Sequence, residues 1–194
     1  MSKEEQDKWE KRYGGDDYER HHKPSDLLTK WIERLPRGKA LDLACGTGRN
    51  ALLLAEKGYD VDALDISPRA IKIAAAAARE RGLRINWIIA DLDNYRIDGP
   101  YDVIVISFFL VNKKIVPEII ASLKNGGVLL AENHMLSPAA SAESSQHRFH
   151  LRPGELRQLF PGLKVLHYEE RPGGQRDHQG EQGSYLASLV AQKE

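Results

Sequence analysis

Short apolar runs alternate with segments of helical spacing along most of this chain. The runs Ala40 to Ala44, Val61 to Leu64, Ile85 to Ile89, Val103 to Ser107 and Val128 to Glu132 are almost unbroken. A half-exposed strand would alternate polar with apolar residues, so these runs predict strands covered on both faces. Between them, Asn50 to Glu56 and Pro68 to Arg81 predict helices, the second capped by Ser67, opened by Pro68 and ended by Gly82. Pro117 to Leu123 predicts a further helix, stopped by Asn125-Gly126-Gly127 acting as a glycine C-cap before the fifth strand. Such alternation predicts an α/β protein built on a parallel sheet. The pattern then changes. After a short helix at Pro153-Gly154-Glu155-Leu156, the runs Leu163 to Glu170 and Ser184 to Ala191 flank a polar loop, Arg171 to Gly183, with no helix between them. Two strands joined in that way predict an antiparallel pair.

Composition narrows the field. The 194 residues suit one domain, with 28 basic and 28 acidic side chains, so no net charge gathers nucleic acid. The amino terminus MSKEEQDKWEKRY is charged from its third residue and does not read as a secretory signal. No apolar run approaches the roughly 20 residues that span a bilayer. A lone cysteine, Cys45, precludes an internal disulfide and fits a reducing cytoplasm, and it reads as a small buried hydrophobe in a turn rather than a catalytic thiol. Ser137 to His147, rich in Ser and Ala, reads as a flexible loop over the site.

The chemistry concentrates in Ala40 to Leu52, a buried strand that runs through Gly46 and Gly48 into a helix. Glycines there permit positive φ and let a ligand approach the backbone at a helix N-terminus. Asp65, at the end of the next strand and 23 residues past Asp42, suits an acid that accepts ribose hydroxyls. That much fits NAD as well as S-adenosylmethionine (SAM), because Gly46-x-Gly48-x-x-Ala51 also satisfies the loose dinucleotide pattern. Two acids favour SAM. Asp42 ends a buried strand, an expensive place for a carboxylate unless it is paired or held at a ligand site. Asp91 ends the third strand, where a carboxylate can accept the exocyclic amine of adenine.

With DLACGTG at Asp42 to Gly48, LDIS at Leu64 to Ser67 and ADL at Ala90 to Leu92, the chain resembles class I SAM-dependent methyltransferases over roughly Trp9 to Lys193. Within them it is most similar to the TehB-like group, through GTGRN at Gly46 to Asn50 and PGELRQLF at Pro153 to Phe160. The resemblance implies a doubly wound, Rossmann-like, mostly parallel seven-stranded sheet with an antiparallel final strand and helices on both faces. It implies a helical segment, residues 1–35, that caps the cofactor site of a single methyltransferase domain, residues 36–194. SAM, with S-adenosylhomocysteine as product, would then contact Asp42, Ala44, Gly46, Gly48 and Asn50 of the first turn, Asp65 and Ile66, Asp91 and Leu92, and Ser107. Arg12 or Tyr13 would meet its carboxylate end, while Trp9 packs on the core.

The acceptor is less legible. His134, His150, Arg152, Arg176 and His178 fall in or beside the carboxyl-end loops, and His134, His150, Arg176 and His178 are the catalytic candidates. Ser107-Phe108-Phe109-Leu110 departs from the Asn/Asp-Pro-Pro-aromatic motif of base-amine methyltransferases, which argues against a nucleic-acid substrate. Tellurite-type relatives tend to carry a His-Arg pair in the last loop, where this chain has Gln175-Arg176 with His178 two residues on. His21 and His22 lack further metal ligands in the sequence, so no metal is expected. The resulting expectation is a cytoplasmic methyltransferase, EC 2.1.1.-, monomeric or weakly dimeric, acting on a small thiol, chalcogen oxyanion or hydroxyl. An NAD-dependent oxidoreductase, a non-catalytic SAM-binding regulatory module and an RNA methyltransferase are the rivals.

Overall fold

The computed structural model describes residues 3–13, 23–137, 150–173 and 185–194. Seven strands form one sheet in the order β3-β2-β1-β4-β5-β7-β6. They are β1 (Lys39–Leu43), β2 (Asp60–Asp65), β3 (Asn86–Ile89), β4 (Tyr101–Ser107), β5 (Leu123–Met135), β6 (Lys164–Pro172) and β7 (Tyr185–Gln192). The first five run parallel, and β7 inserts antiparallel to both β5 and β6, as the helix-free connection predicted.

Both faces of the central strands are buried, which is why their sequence reads as continuous apolar runs. In β4, Val103 and Val105 enter one cluster with Leu28, Leu54 and Ile71. Their neighbours Ile104 and Ile106 enter the other with Ile119 and Leu156. Helices α2 (Asp26–Trp31), α3 (Arg49–Glu56) and α4 (Pro68–Glu80) thus cover one face, and α5 (Val116–Ser122) and α6 (Glu155–Leu159) the other. Ser67 caps α4 by accepting the Ala70 N–H at 3.1 Å, with Pro68 in the first turn, as expected from the sequence.

One boundary differs from expectation. The chain turns extended at Leu123, and Asn125-Gly126-Gly127 lies inside β5 instead of between helix and strand. Leu123 is buried and pairs with Tyr101, and the ladder slips before Val103 meets Val128. Lys193 replaces the glycine cap: its ammonium donates to the carbonyls of Ile120, Ala121 and Leu123 at 3.0, 3.1 and 2.7 Å. A cation at a helix C-terminus also opposes the negative end of the helix dipole.

The chain fills β1, β2 and β3 in one direction and then returns to place β4 on the other side of β1. Ligands of open α/β sheets bind at that reversal, beyond the carboxyl ends of β1 and β4. Helix α1 (Lys3–Arg12) lies over this end, its Gln6 donating to the Ile66 carbonyl at 3.3 Å.

Candidate functional site

The turn after β1 is built by carboxylates accepting backbone N–H groups. Asp65 Oδ2 accepts from Gly46 at 2.8 Å and its Oδ1 from Ser67 at 2.9 Å. Asp42 Oδ2 accepts from Ala51 at 3.0 Å, satisfying one of the unpaired donors in the first turn of α3. Both carboxylates are removed from water, at 1% and 5% exposure for Asp42 and Asp65. Burial pushes Asp42 up to about 7, with the Ala51 N–H and Arg49 pulling the other way. Burial likewise raises Asp65 against the pull of the Ser67 and Gly46 N–H groups. At the opposite end of the sheet Asp62 differs: burial raises it, but Lys39, Asn86 and Tyr101 bind it so well that it ends below the ordinary carboxylate range. Two acids raised by burial, Asp42 and Asp65, thus flank the glycine turn.

The two glycines do different work. A Cβ on Gly46 (φ 55°) would lie 2.9 Å from the Tyr13 hydroxyl, so this glycine keeps backbone open to the space under α1. A Cβ on Gly48 (φ 80°) would lie 2.7 Å from Trp87 Cη2 and 2.9 Å from Ala74 Cβ, which makes Gly48 a packing glycine between α3, α4 and β3. Two non-glycine residues also hold left-handed backbone, Ala44 (φ 55°) at the end of β1 and Phe108 (φ 58°) at the end of β4. Such strain gathers at ligand sites. Phe108 is held there by its N–H, which donates to the Glu132 carbonyl at 2.7 Å.

Beneath α1, a cleft partly open to solvent lies between these turns. It gathers Tyr13, Ala44, Gly46, Asn50, Asp65, Ile66, Leu92 and Ser107 of the predicted cofactor residues. Asn50 reaches it as a strut, its Oδ1 accepting the Ser25 N–H at 2.9 Å and its Nδ2 donating to Ser107 Oγ at 3.1 Å. Arg12, Asp42, Gly48 and Asp91 are not in its wall. Arg12 stacks over Trp9 at 5.2 Å, and Asp91 accepts from the Asp93 N–H at 3.0 Å and from Asn94 Nδ2 at 2.8 Å just behind Leu92.

Trp9 is in the cleft wall, stacked on Tyr13 at 5.9 Å, instead of in the core. The helix that carries them is pinned by Glu10, whose Oε1 accepts from Ser67 Oγ at 2.5 Å and from the Arg69 N–H at 3.1 Å. Thr47, Arg49, Cys45, Phe108 and Phe109 complete the wall. The phenylalanines stood in the sequence only as a departure from another motif, and Thr47 only as a member of the DLACGTG and GTGRN motifs. Burial, reinforced by Asp42 and Asp65, raises the Cys45 thiol well above its ordinary range, so it stays protonated and is no nucleophile.

Of the catalytic candidates, His134 packs on the Phe108 ring at 4.9 Å and lies 5.9 Å from His150, next to the cleft but outside its wall. Arg152 is exposed. Arg176, His178, His21, His22 and most of Ser137 to His147 lie outside the described residues. Among the described residues, no group of three or more His, Cys, Asp or Glu side chains is placed to hold a metal ion. No helix there is long and apolar enough to cross a membrane.

Comparison with known proteins agrees with this fold. The chain is 36% identical over 141 residues to "Hemagglutinin 1" of Eikenella corrodens, covering 70% of this chain and 47% of that protein. It is 29% identical over 140 residues to "Probable S-adenosyl-L-methionine-dependent methyltransferase TehB" of Haemophilus influenzae, covering 70% and 49%. The chain thus spans about half the length of the curated relatives it matches. The crystal structure of TehB from Haemophilus influenzae superposes with a TM-score of 0.74 at 23% identity over 97% of this chain and 67% of that one, which establishes the fold. A family model described as "Tellurite resistance protein TehB" matches residues 6–187, nearly the whole sequence, and the chain therefore belongs to the TehB family.

Proposed function

We propose that the cleft binds SAM and that the chain transfers its methyl group to a small-molecule acceptor. The observation that carries this reading is Asp65, a buried carboxylate in the cleft wall that accepts the Gly46 N–H on one oxygen and the Ser67 N–H on the other. A carboxylate has about four acceptor positions. The remaining ones would receive the two ribose hydroxyls, while Ile66 and Leu92 offer apolar surface to adenine and Asp91 an acceptor for its amine. Gly46, with no Cβ, would let the methionine portion pass between the turn and Tyr13, and Arg12 or Tyr13 would meet its carboxylate.

SAM supplies an electrophilic methyl on a positively charged sulfur, a charge that is lost on transfer. The protein's part is alignment of the nucleophile and exclusion of water. Trp9 and Tyr13, held over the turn by Glu10, would close the cleft, which gives residues 1–35 their capping role. A thiolate or chalcogen oxyanion needs little help from a base, whereas a hydroxyl would call on His134, His150 or His178. Arg176 would steady an anionic acceptor. The enzyme would act in a reducing cytoplasm as a monomer or weak homodimer.

Asp65→Ala tests the reading. SAM binding measured by calorimetry should be abolished in a variant that remains folded by circular dichroism, and retained affinity would remove the proposed ribose contact.

A further inference from the structure

Charge is unevenly placed around the cleft. Among its described wall residues, Asp65 brings the one carboxyl, at the end of β2, and Arg49 the one basic side chain, at the start of α3. Asp65 already accepts the Gly46 and Ser67 N–H groups. Arg49 is half-buried; its Nη1 donates to the Lys23 carbonyl at 3.3 Å, and its guanidinium lies over the Phe108 ring at 5.1 Å. Those contacts aim the guanidinium without neutralising it. Arg37, Arg81 and Arg171 each pair with a glutamate, whereas Arg49 has no ion pair among the described residues. Two buried acids, Asp42 and Glu132, feel its charge, and burial holds both toward their protonated forms.

Phe108 gives this cation a fixed base. Its backbone is left-handed, its N–H is bound by the Glu132 carbonyl, and His134 packs on its ring at 4.9 Å. A guanidinium carries five N–H donors in a planar fork that matches a carboxylate or another oxyanion. Arg49 gives one donor to Lys23. An unpaired, pre-aimed guanidinium in the wall of a ligand cleft therefore points to a negative group on what the cleft binds.

We propose that Arg49 is the anion anchor of the cleft, a specificity-determining residue that pairs with a carboxylate or comparable oxyanion of a bound molecule. This rests on the SAM reading above. Two molecules can bring that group: the cofactor, through the carboxylate of its methionine end, or an anionic methyl acceptor. Arg12 does not duplicate the role, because it stacks on Trp9 outside the wall.

The test compares the full chain with Arg49→Gln, which removes the charge and keeps a polar side chain. Calorimetry reads the affinities for S-adenosylhomocysteine and for 5′-methylthioadenosine, which lacks the amino-acid carboxylate. A third titration adds selenite or propionate to protein saturated with S-adenosylhomocysteine. If the cofactor supplies the anion, the variant should bind S-adenosylhomocysteine about tenfold or more weakly and 5′-methylthioadenosine unchanged, the loss of a charge-assisted pair. If the acceptor supplies it, both nucleosides should bind the variant as they bind wild type, while the small anions bind it about tenfold or more weakly. Arg49→Lys keeps the charge without the fork; it should show the same pattern at smaller size, and it serves if Arg49→Gln does not fold. Equal weakening of both nucleosides, or no change in any titration, would overturn the proposal. Wild-type protein that binds neither nucleoside would instead sink the SAM reading, while the small-anion titration without cofactor still reports on Arg49.

Discussion

Asp42→Asn isolates the electrostatic cost of the turn. The Asp42 carboxyl is 1% exposed and held above its ordinary 3.8 at about 7, chiefly by burial. The unfolded chain therefore loses this proton first. Between pH 4 and 7 the folded state binds more protons than the unfolded one, so this group's contribution to stability falls as pH rises through that window and is constant above it. At about 1.36 kcal/mol per pH unit, the full swing approaches ~4 kcal/mol. Asparagine keeps an oxygen for the Ala51 N–H, removes the ionisation, and buries an amide N–H that costs about 1–3 kcal/mol if unmatched. The variant should be less stable than wild type near pH 4 and more stable, by about 1–3 kcal/mol, at pH 8. Urea unfolding followed by tryptophan fluorescence at half-unit steps from pH 4 to 8 measures the difference. A difference independent of pH would show that Asp42 titrates normally and refute the reasoning.

Gly48→Ala places a methyl group against Trp87 and Ala74 at a left-handed backbone and should cost about 1–3 kcal/mol in a melting experiment, the range for overpacking. Glu10→Ala frees α1 from Ser67 and Arg69; SAM affinity by calorimetry should weaken while the melting temperature of the sheet changes little. Asn50→Ala leaves the buried Ser25 N–H without its acceptor and should destabilise the protein by about 1–3 kcal/mol in urea titration.

What was legible in the sequence follows from what each signal encodes. Strands buried on both faces must be continuously apolar, so β1, β2, β4 and β5 stood out, and a connection without a helix left β6 and β7 an antiparallel pair. Gly46 and Asp65 were legible because few residues satisfy a turn that bares its backbone beside a carboxylate. Gly48 was legible as a glycine but not for its reason, since Trp87 and Ala74 approach it only once α4 and β3 are packed. Asp42 reads as a ligand residue in the sequence, and in the fold one of its oxygens accepts the Ala51 N–H at the start of α3. Trp9 reads as a core residue on an amphipathic pattern, and only the docking of Glu10 turns its ring to the cleft. Ala44 and Phe108 gave no warning of left-handed backbone, because neither residue type favours it; the neighbouring strands impose it. The start of β5 was misplaced because Lys193, 70 residues away, caps α5 in place of the nearby glycines.

Parallel titration of the purified protein with SAM, S-adenosylhomocysteine and NAD bears most directly on the cleft. Saturable binding of SAM and S-adenosylhomocysteine, with no heat from NAD, is the required outcome. Binding of NAD alone would contradict it.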